Sequence, residues 1–238
     1  MTGLTAWTGG LAGERDPAQP LLTMYDGPAR VELSGATTAN WVAKSANLLV
    51  DGLGGPARVG LLLPLHWQAV SLLLAAVAAG ATVVVAREAG ELAGCDAAFV
   101  HEPHALSALD AGVEEVLALS GHPLGAPCGP LPPLVADYAR EVPSYGDGWS
   151  GPAPTAVRVE AGGAVVPVAP APGLTSADRV LLSSPLAGGI DVLLSVLAAG
   201  AGLVLLQGPA GADVTKVAAD ERITRTAGIS VHGIPSLG

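Results

Sequence analysis

The chain has 238 residues, half of them hydrophobic, with a mean hydropathy of +0.50, so it carries enough apolar surface for a full core and is not a disordered chain. A formal net charge of -10, from 21 acidic against 11 basic residues, repels phosphate backbones and anionic lipid and excludes nucleic acid as a partner. Cys95 and Cys128 form no CxxC pair and imply no disulfide framework, and the first twenty residues lack a basic stretch followed by an apolar core, so a reducing, cytoplasmic setting is expected.

In chain order, "ARVELSG" at 29–35 reads as a strand, and "TTANWVAKSANLLVDGLG" from Thr37 as an amphipathic helix offering Trp41, Ala46, Leu48 and Leu49 to a core. The stretch 59–86 contains no charged residue and passes the length test for a membrane span. Its internal order argues against one. "RVGLLLP" is a short apolar run stopped by Pro64, "WQAVSLLLAAVAA" is built of helix formers, and "GATVVVA" opens on Gly80 and turns β-branched. Strand, helix, strand is the reading, because Pro64 would kink a spanning helix but suits a strand end. Apolar strands without alternation belong to parallel sheets covered on both faces.

Further along, "CDAAFVHE" is a strand, 104–109 a short helix and "VEEVLALS" another strand, followed by a long Pro/Gly-rich connector over 121–154. "TAVRVEAGGAVVPVA" reads as a hairpin turned at Gly162 and Gly163. Then "RVLLSSP", "IDVLLSVLAA" and "GLVLL" repeat the strand–helix–strand phrase of 58–86, and the tail gives a helix and a strand at 229–232. The fold class expected is α/β: two interlocked lobes with largely parallel sheets flanked by helices.

The order of these phrases resembles the N-terminal part of the adenylate-forming superfamily of acyl- and aryl-CoA synthetases, adenylation domains and luciferases. "RVELSGATTANWVAKSANLLVDGLGGPARVGLLLPLHWQAVSLLLAAVAAGATVVV" is similar to that family's opening, "LTSADRVLLSSPLAGGIDVLLSVLAAGAGLVLL" to the region after its phosphate loop, and "ERITRTAGISVHGIPSLG" to its "i.ry.vT...gvP" segment. The resemblance implies one such domain over 1–238, with one lobe at about 52–150 and the other made of about 20–51 plus 151–238.

The family's phosphate loop, "TSG.TG.PKG", would fall where this chain has "VRVEAGGAVVPVAPAPG", which holds no hydroxyl and no lysine from Val157 to Gly173. Backbone N–H groups, hydroxyls and a cation are what offset triphosphate charge, so ATP-dependent adenylation is not expected. The family's adenine-binding segment and catalytic lysine also have no counterpart before Gly238. The expectation is therefore a truncated, non-catalytic relative that acts as a binding or assembly protein, with no cofactor and no metal. Its partners would be a small acyl, nucleotide or CoA-like ligand, and a second copy or another protein covering an exposed sheet edge.

Candidate ligand-cleft residues are Ser183, Ser184, Gly188, Gly189 and His232, because open α/β sheets bind ligands at the carboxyl ends of their strands. The alternative is a hydrolase or acyl-transfer enzyme using Ser184 as nucleophile and His232 as base, although no GxSxG elbow is present. "HEPH" at 101–104 offers two imidazoles, but around a proline at a strand end they read as a solvated turn rather than metal ligands.

Overall fold

The computed structural model describes residues 3–207 and 213–237; residues 1, 2, 208–212 and 238 lie outside that description. A short helix α1 (Gly3–Trp7) precedes a hairpin of β1 (Pro20–Asp26) and β2 (Ala29–Ser34) that turns at Gly27, where φ is +53°. The Ser34 hydroxyl accepts from the Thr37 N–H and starts α2 (Gly35–Asn47), which ends in a π turn over Leu48–Gly52.

Next come β3 (Arg58–Leu62), α3 (Trp67–Ala78), β4 (Thr82–Val85), β5 (Ala97–His101), α4 (Ala105–Asp110) and β6 (Glu115–Leu119). The connector contains a three-residue strand β7 (Val135–Asp137) and a single helical turn α5 (Tyr138–Glu141). The hairpin of β8 (Val159–Ala161) and β9 (Ala164–Val165) turns at Gly162 and Gly163, both at positive φ as a two-residue hairpin loop requires. The chain then gives β10 (Arg179–Leu182), α6 (Ile190–Ala198), β11 (Gly202–Gln207), α7 (Val214–Asp220) and β12 (Arg225–Ala227).

Two sheets result. One has the order β12-β10-β11-β1-β2, the other β7-β6-β5-β3-β4-β8-β9, and each is parallel except for the hairpin strand at one edge. The hairpin of β8 and β9 pairs with β4, so the change from one sheet to the other falls between Val165 and Arg179 and not near residue 150 as expected. The reason is register: Val83 to Val85 pair in parallel with Val159 to Ala161, and this ladder extends the first sheet before the chain leaves it.

α3 explains the uncharged stretch. All twelve of its residues are buried, because it packs against α2, against β1 of one sheet and against β3 and β4 of the other. A helix walled by protein on every side is apolar all round without lying in lipid. No helix among the described residues is long and apolar enough to cross a membrane. Leu72, Leu73 and Leu74 are fully buried here, each side chain stabilising the fold by about 1.5–3 kcal/mol.

The core that contains α3 runs through both lobes without a break, and two smaller clusters lie under α4 and α7 on the outer faces. Trp41 stacks edge-on against Trp67 at 5.1 Å, and the Gln207 side-chain amide donates to the Leu65 carbonyl at 2.8 Å, tying β11 to the loop after β3.

The strand expected at 229–232 is corrected: β12 lies at Arg225–Ala227, where its backbone can pair with β10. Residues after it fold back along its other edge, with the Thr226 N–H donating to Pro235 and the Leu237 N–H to Thr226. That edge is thereby occupied.

Candidate functional site

β3, β4 and β5 are parallel neighbours, so their carboxyl ends deliver three loops to one side: Leu63 and Pro64, Ala86 and Arg87, and His101 to His104. β10 of the other sheet delivers Pro185 to Gly188 opposite them. Together these loops wall a cleft of about 480 Å³ between the sheets. Strand ends converging from both sheets make the kind of crevice in which open α/β folds hold ligands.

The wall is apolar except for Arg87, His101 and His104. Arg87 hydrogen-bonds the Glu91 carboxylate at 2.6 Å, which raises the guanidinium pKa and holds the carboxyl below its usual value. The imidazoles of His101 and His104 meet edge-on with centroids 6.3 Å apart. The polar side of the cleft therefore consists of two imidazoles and a guanidinium paired with a carboxylate.

His66 lies behind this wall, 3% exposed. Its Nδ1 accepts from the Gln68 N–H at 3.1 Å and caps α3, which assigns the proton to Nε2. Nε2 has no hydrogen-bond partner, and the ring lines a hollow of about 10 Å³ with His101, Leu119 and Gly121, close to the space of one water. Burial pushes the imidazole pKa down to about 4, so the ring is neutral at pH 7. No group of three or more metal-ligating side chains occurs among the described residues.

The residues expected from sequence divide. Gly188 lines the cleft, beside Pro185, Leu186 and Ala187. Ser183 follows β10 and uses its N–H to bond the Ala227 carbonyl at 3.0 Å. The Ser184 hydroxyl is buried without a partner and lies against Gly189, where an added Cβ would sit 2.1 Å from Oγ. Gly188 and Gly189 both donate their N–H to the Pro185 carbonyl, closing a turn before α6.

His232 stands in an exposed turn. No Ser184–His232 hydrogen bond forms, because the Ser184 hydroxyl is shut in beneath α6 while His232 faces solvent. The nucleophile–base pair is thus not assembled in this structure. Arg87 and His104 were missed as cleft residues, although each follows an apolar strand, in "VVVAR" and "AFVHEPH", just as Ser183 follows "RVLL".

After β9, residues 166–178 run without regular structure to the start of β10. This segment lies along α6, where the Ser195 hydroxyl donates to the Ala169 carbonyl at 2.7 Å. Glu160, before it, is paired with Arg58 at 2.9 Å. The chain's two lysines are engaged elsewhere: Lys44 donates to the Tyr145 carbonyl, and Lys216 pairs with Asp220. Burial pushes the Cys128 thiol up to about 12 and raises that of Cys95, so neither is a thiolate nucleophile near pH 7.

No protein-family model matches the chain. It is 40% identical over 224 residues to a TIGR03089 family protein of Mycobacterium tuberculosis, an alignment covering 88% of this chain and 92% of that one. Among solved structures, an acyl-CoA synthetase of Brucella canis superposes with a TM-score of 0.73 at 16% identity, over 96% of this chain and 47% of that one. MatB from Rhodopseudomonas palustris gives 0.67 at 16% identity over 94% and 49%, and the amide bond synthetase McbA of Marinactinospora thermotolerans 0.66 at 20% over 95% and 48%. The chain spans about half the length of these solved structures, and at such identities the likeness shows a shared fold.

Proposed function

The chain belongs to the TIGR03089 family, and from that premise we propose that it is a non-catalytic, acyl-CoA-synthetase-like protein that binds a small anionic ligand of nucleotide or CoA type between its two sheets. The observation that carries the reading is the cleft itself, in which apolar loops from both sheets surround Arg87, His101 and His104. An apolar wall takes the ring of such a ligand, and three N–H bearing side chains take its phosphate.

The absence of acyl activation rests on 157–173. A loop that handles triphosphate must present hydroxyls and a cation, whereas this one is built of Val, Ala, Pro and Gly, with Arg158 and Glu160 as its charges, and Ser195 holds it against α6. Assembly is the second half of the proposal: β9 ends one sheet with Val165 60% exposed, an edge a second strand can join.

Thermal-shift titration with AMP, CoA and acetyl-CoA, together with ATP–pyrophosphate exchange over a panel of carboxylic acids, tests this. Saturable stabilisation by at least one ligand, lost in the double variant Arg87→Ala, His104→Ala and unaccompanied by exchange, is the expected result. Exchange above background, or no stabilisation by any of the three, overturns it. A monodisperse monomer with no co-purifying protein removes the assembly half.

A further inference from the structure

A second cavity lies away from the cleft, beneath the N-terminal helix. It measures about 270 Å³ and is enclosed by α1, the loop after it, the start of α2 and the end of α6, with Leu4, Ala12, Leu21, Ala39 and Leu197 in its wall. Gly13 and Gly200 seal one side by close backbone contact: a Cβ on Gly13 would stand 2.6 Å from the Gly200 nitrogen. Ala36, at the start of α2, is exposed and marks the open side.

One ionised group lines this apolar space. Arg15 donates from Nη1 to the Gly200 carbonyl at 3.0 Å and from Nη2 to the Pro20 carbonyl at 2.8 Å, while its Nε–H is buried with no partner. Thr5, the other polar side chain of the wall, turns its hydroxyl to the Gly13 carbonyl. Burial, reinforced by Arg179 and opposed by Asp16, lowers the Arg15 pKa, as expected of a cation short of anionic company. Buried polar groups are nearly always hydrogen-bonded, and the Arg15 Nε–H beside this apolar space is a donor for which the described residues supply no acceptor.

We propose that this cavity binds a short-chain aliphatic monocarboxylate, its carboxylate accepting from the Arg15 Nε–H and its chain lying among Leu4, Leu21, Ala39 and Leu197. The size keeps the chain short: about 270 Å³ is below the roughly 300–1,000 Å³ of clefts that hold drug-sized ligands. The charge sets the head group. A phosphate dianion would leave several oxygens desolvated against Leu and Ala, whereas a carboxylate matches a site whose free donor is a single N–H. This inference is independent of the inter-sheet cleft, which shares none of the cavity's residues.

Isothermal titration of the full chain with hexanoate, hexanol and hexylamine tests it. Hexanoate should bind saturably and about tenfold or more tighter than hexanol, the worth of one hydrogen bond to a charged group, and hexylamine should not bind. Arg15→Gln should abolish the preference for acid over alcohol. Ala39→Phe should fill the space and abolish hexanoate binding, and if that variant fails to fold, magnetisation transfer from hexanoate to the Leu21 and Leu197 methyl groups of the wild type carries the same information. The double variant Arg87→Ala, His104→Ala should bind hexanoate unchanged. The proposal is overturned if hexanoate does not saturate, if hexanol binds equally well, if Ala39→Phe keeps the affinity, if no transfer reaches those methyl groups, or if the cleft variant loses it.

Discussion

Replacing Glu221 by glutamine probes the charge network at the amino end of the five-stranded sheet. Glu221 is 6% exposed and accepts from the Tyr25 hydroxyl at 2.7 Å, from Arg30 Nε at 2.7 Å and from Arg179 Nη2. Burial alone would push its carboxyl up, but the donors of Arg30, Tyr25 and Arg179 outweigh burial and hold it at about 2. The fall from an ordinary 4.5 to about 2 corresponds to about 3 kcal/mol of stability. Because the folded-state pKa is depressed, that contribution is complete above pH 4.5 and is lost as pH falls toward 2. At pH 7 Glu221→Gln leaves Arg30 and Arg179 facing a neutral amide, and for a chain of this size the melting temperature should drop by about 6–12 °C. Thermal melts of both proteins from pH 7 to pH 2 supply the assay, and the gap should close as the wild type protonates. A variant within 2 °C of wild type at pH 7, or a gap that stays constant down to pH 2, refutes the reasoning.

His66 should give pH dependence in a different window. Its folded pKa of about 4 lies below the ordinary 6.5, so the unfolded chain binds a proton first and stability falls as pH drops from 6.5 to 4; His66→Asn, which keeps a capping acceptor for α3, should flatten that part of a urea-denaturation profile. The buried Ser45–Tyr138 hydroxyl pair, 2.8 Å apart, should cost about 1–2 kcal/mol in either Ser45→Ala or Tyr138→Phe, and the double variant should cost less than the sum in a denaturant cycle. Gly228→Ala should destabilise by about 2–4 kcal/mol, because φ is +68° and the new Cβ would meet the Ser183 carbonyl oxygen at 2.1 Å; a calorimetric melt within 2 °C of wild type would contradict it.

Much of the fold was legible from residue order. Pro64, Gly80, Gly162, Gly163 and Gly200 punctuate the chain where its elements change, and the β-branched runs between them are buried strands in the structure. β1 was not anticipated, although "YDGPA" carries an Asp-Gly turn signal, because its seven residues show neither alternation nor a long apolar run. The tail strand was placed too late, since "ISVH" and "TRTA" have similar propensity and only pairing with β10 separates them.

The candidate site was legible in principle and only partly in fact. The rule that ligands sit beyond the carboxyl ends of parallel strands selects Ser183 and Gly188, and equally His101 and Arg87. Which strand ends face one another depends on how the two sheets are set around α3. By itself the sequence determined the α/β class and the repeated strand–helix–strand unit, because these rest on local propensity and spacing. Tertiary structure alone decided that Ser184 is shut away from His232, that the hairpin at Gly162 joins the earlier sheet, and that Arg15 lines a cavity with an unmatched N–H. Each of these is a contact between segments distant in the chain, and no local pattern encodes the closing of such a contact.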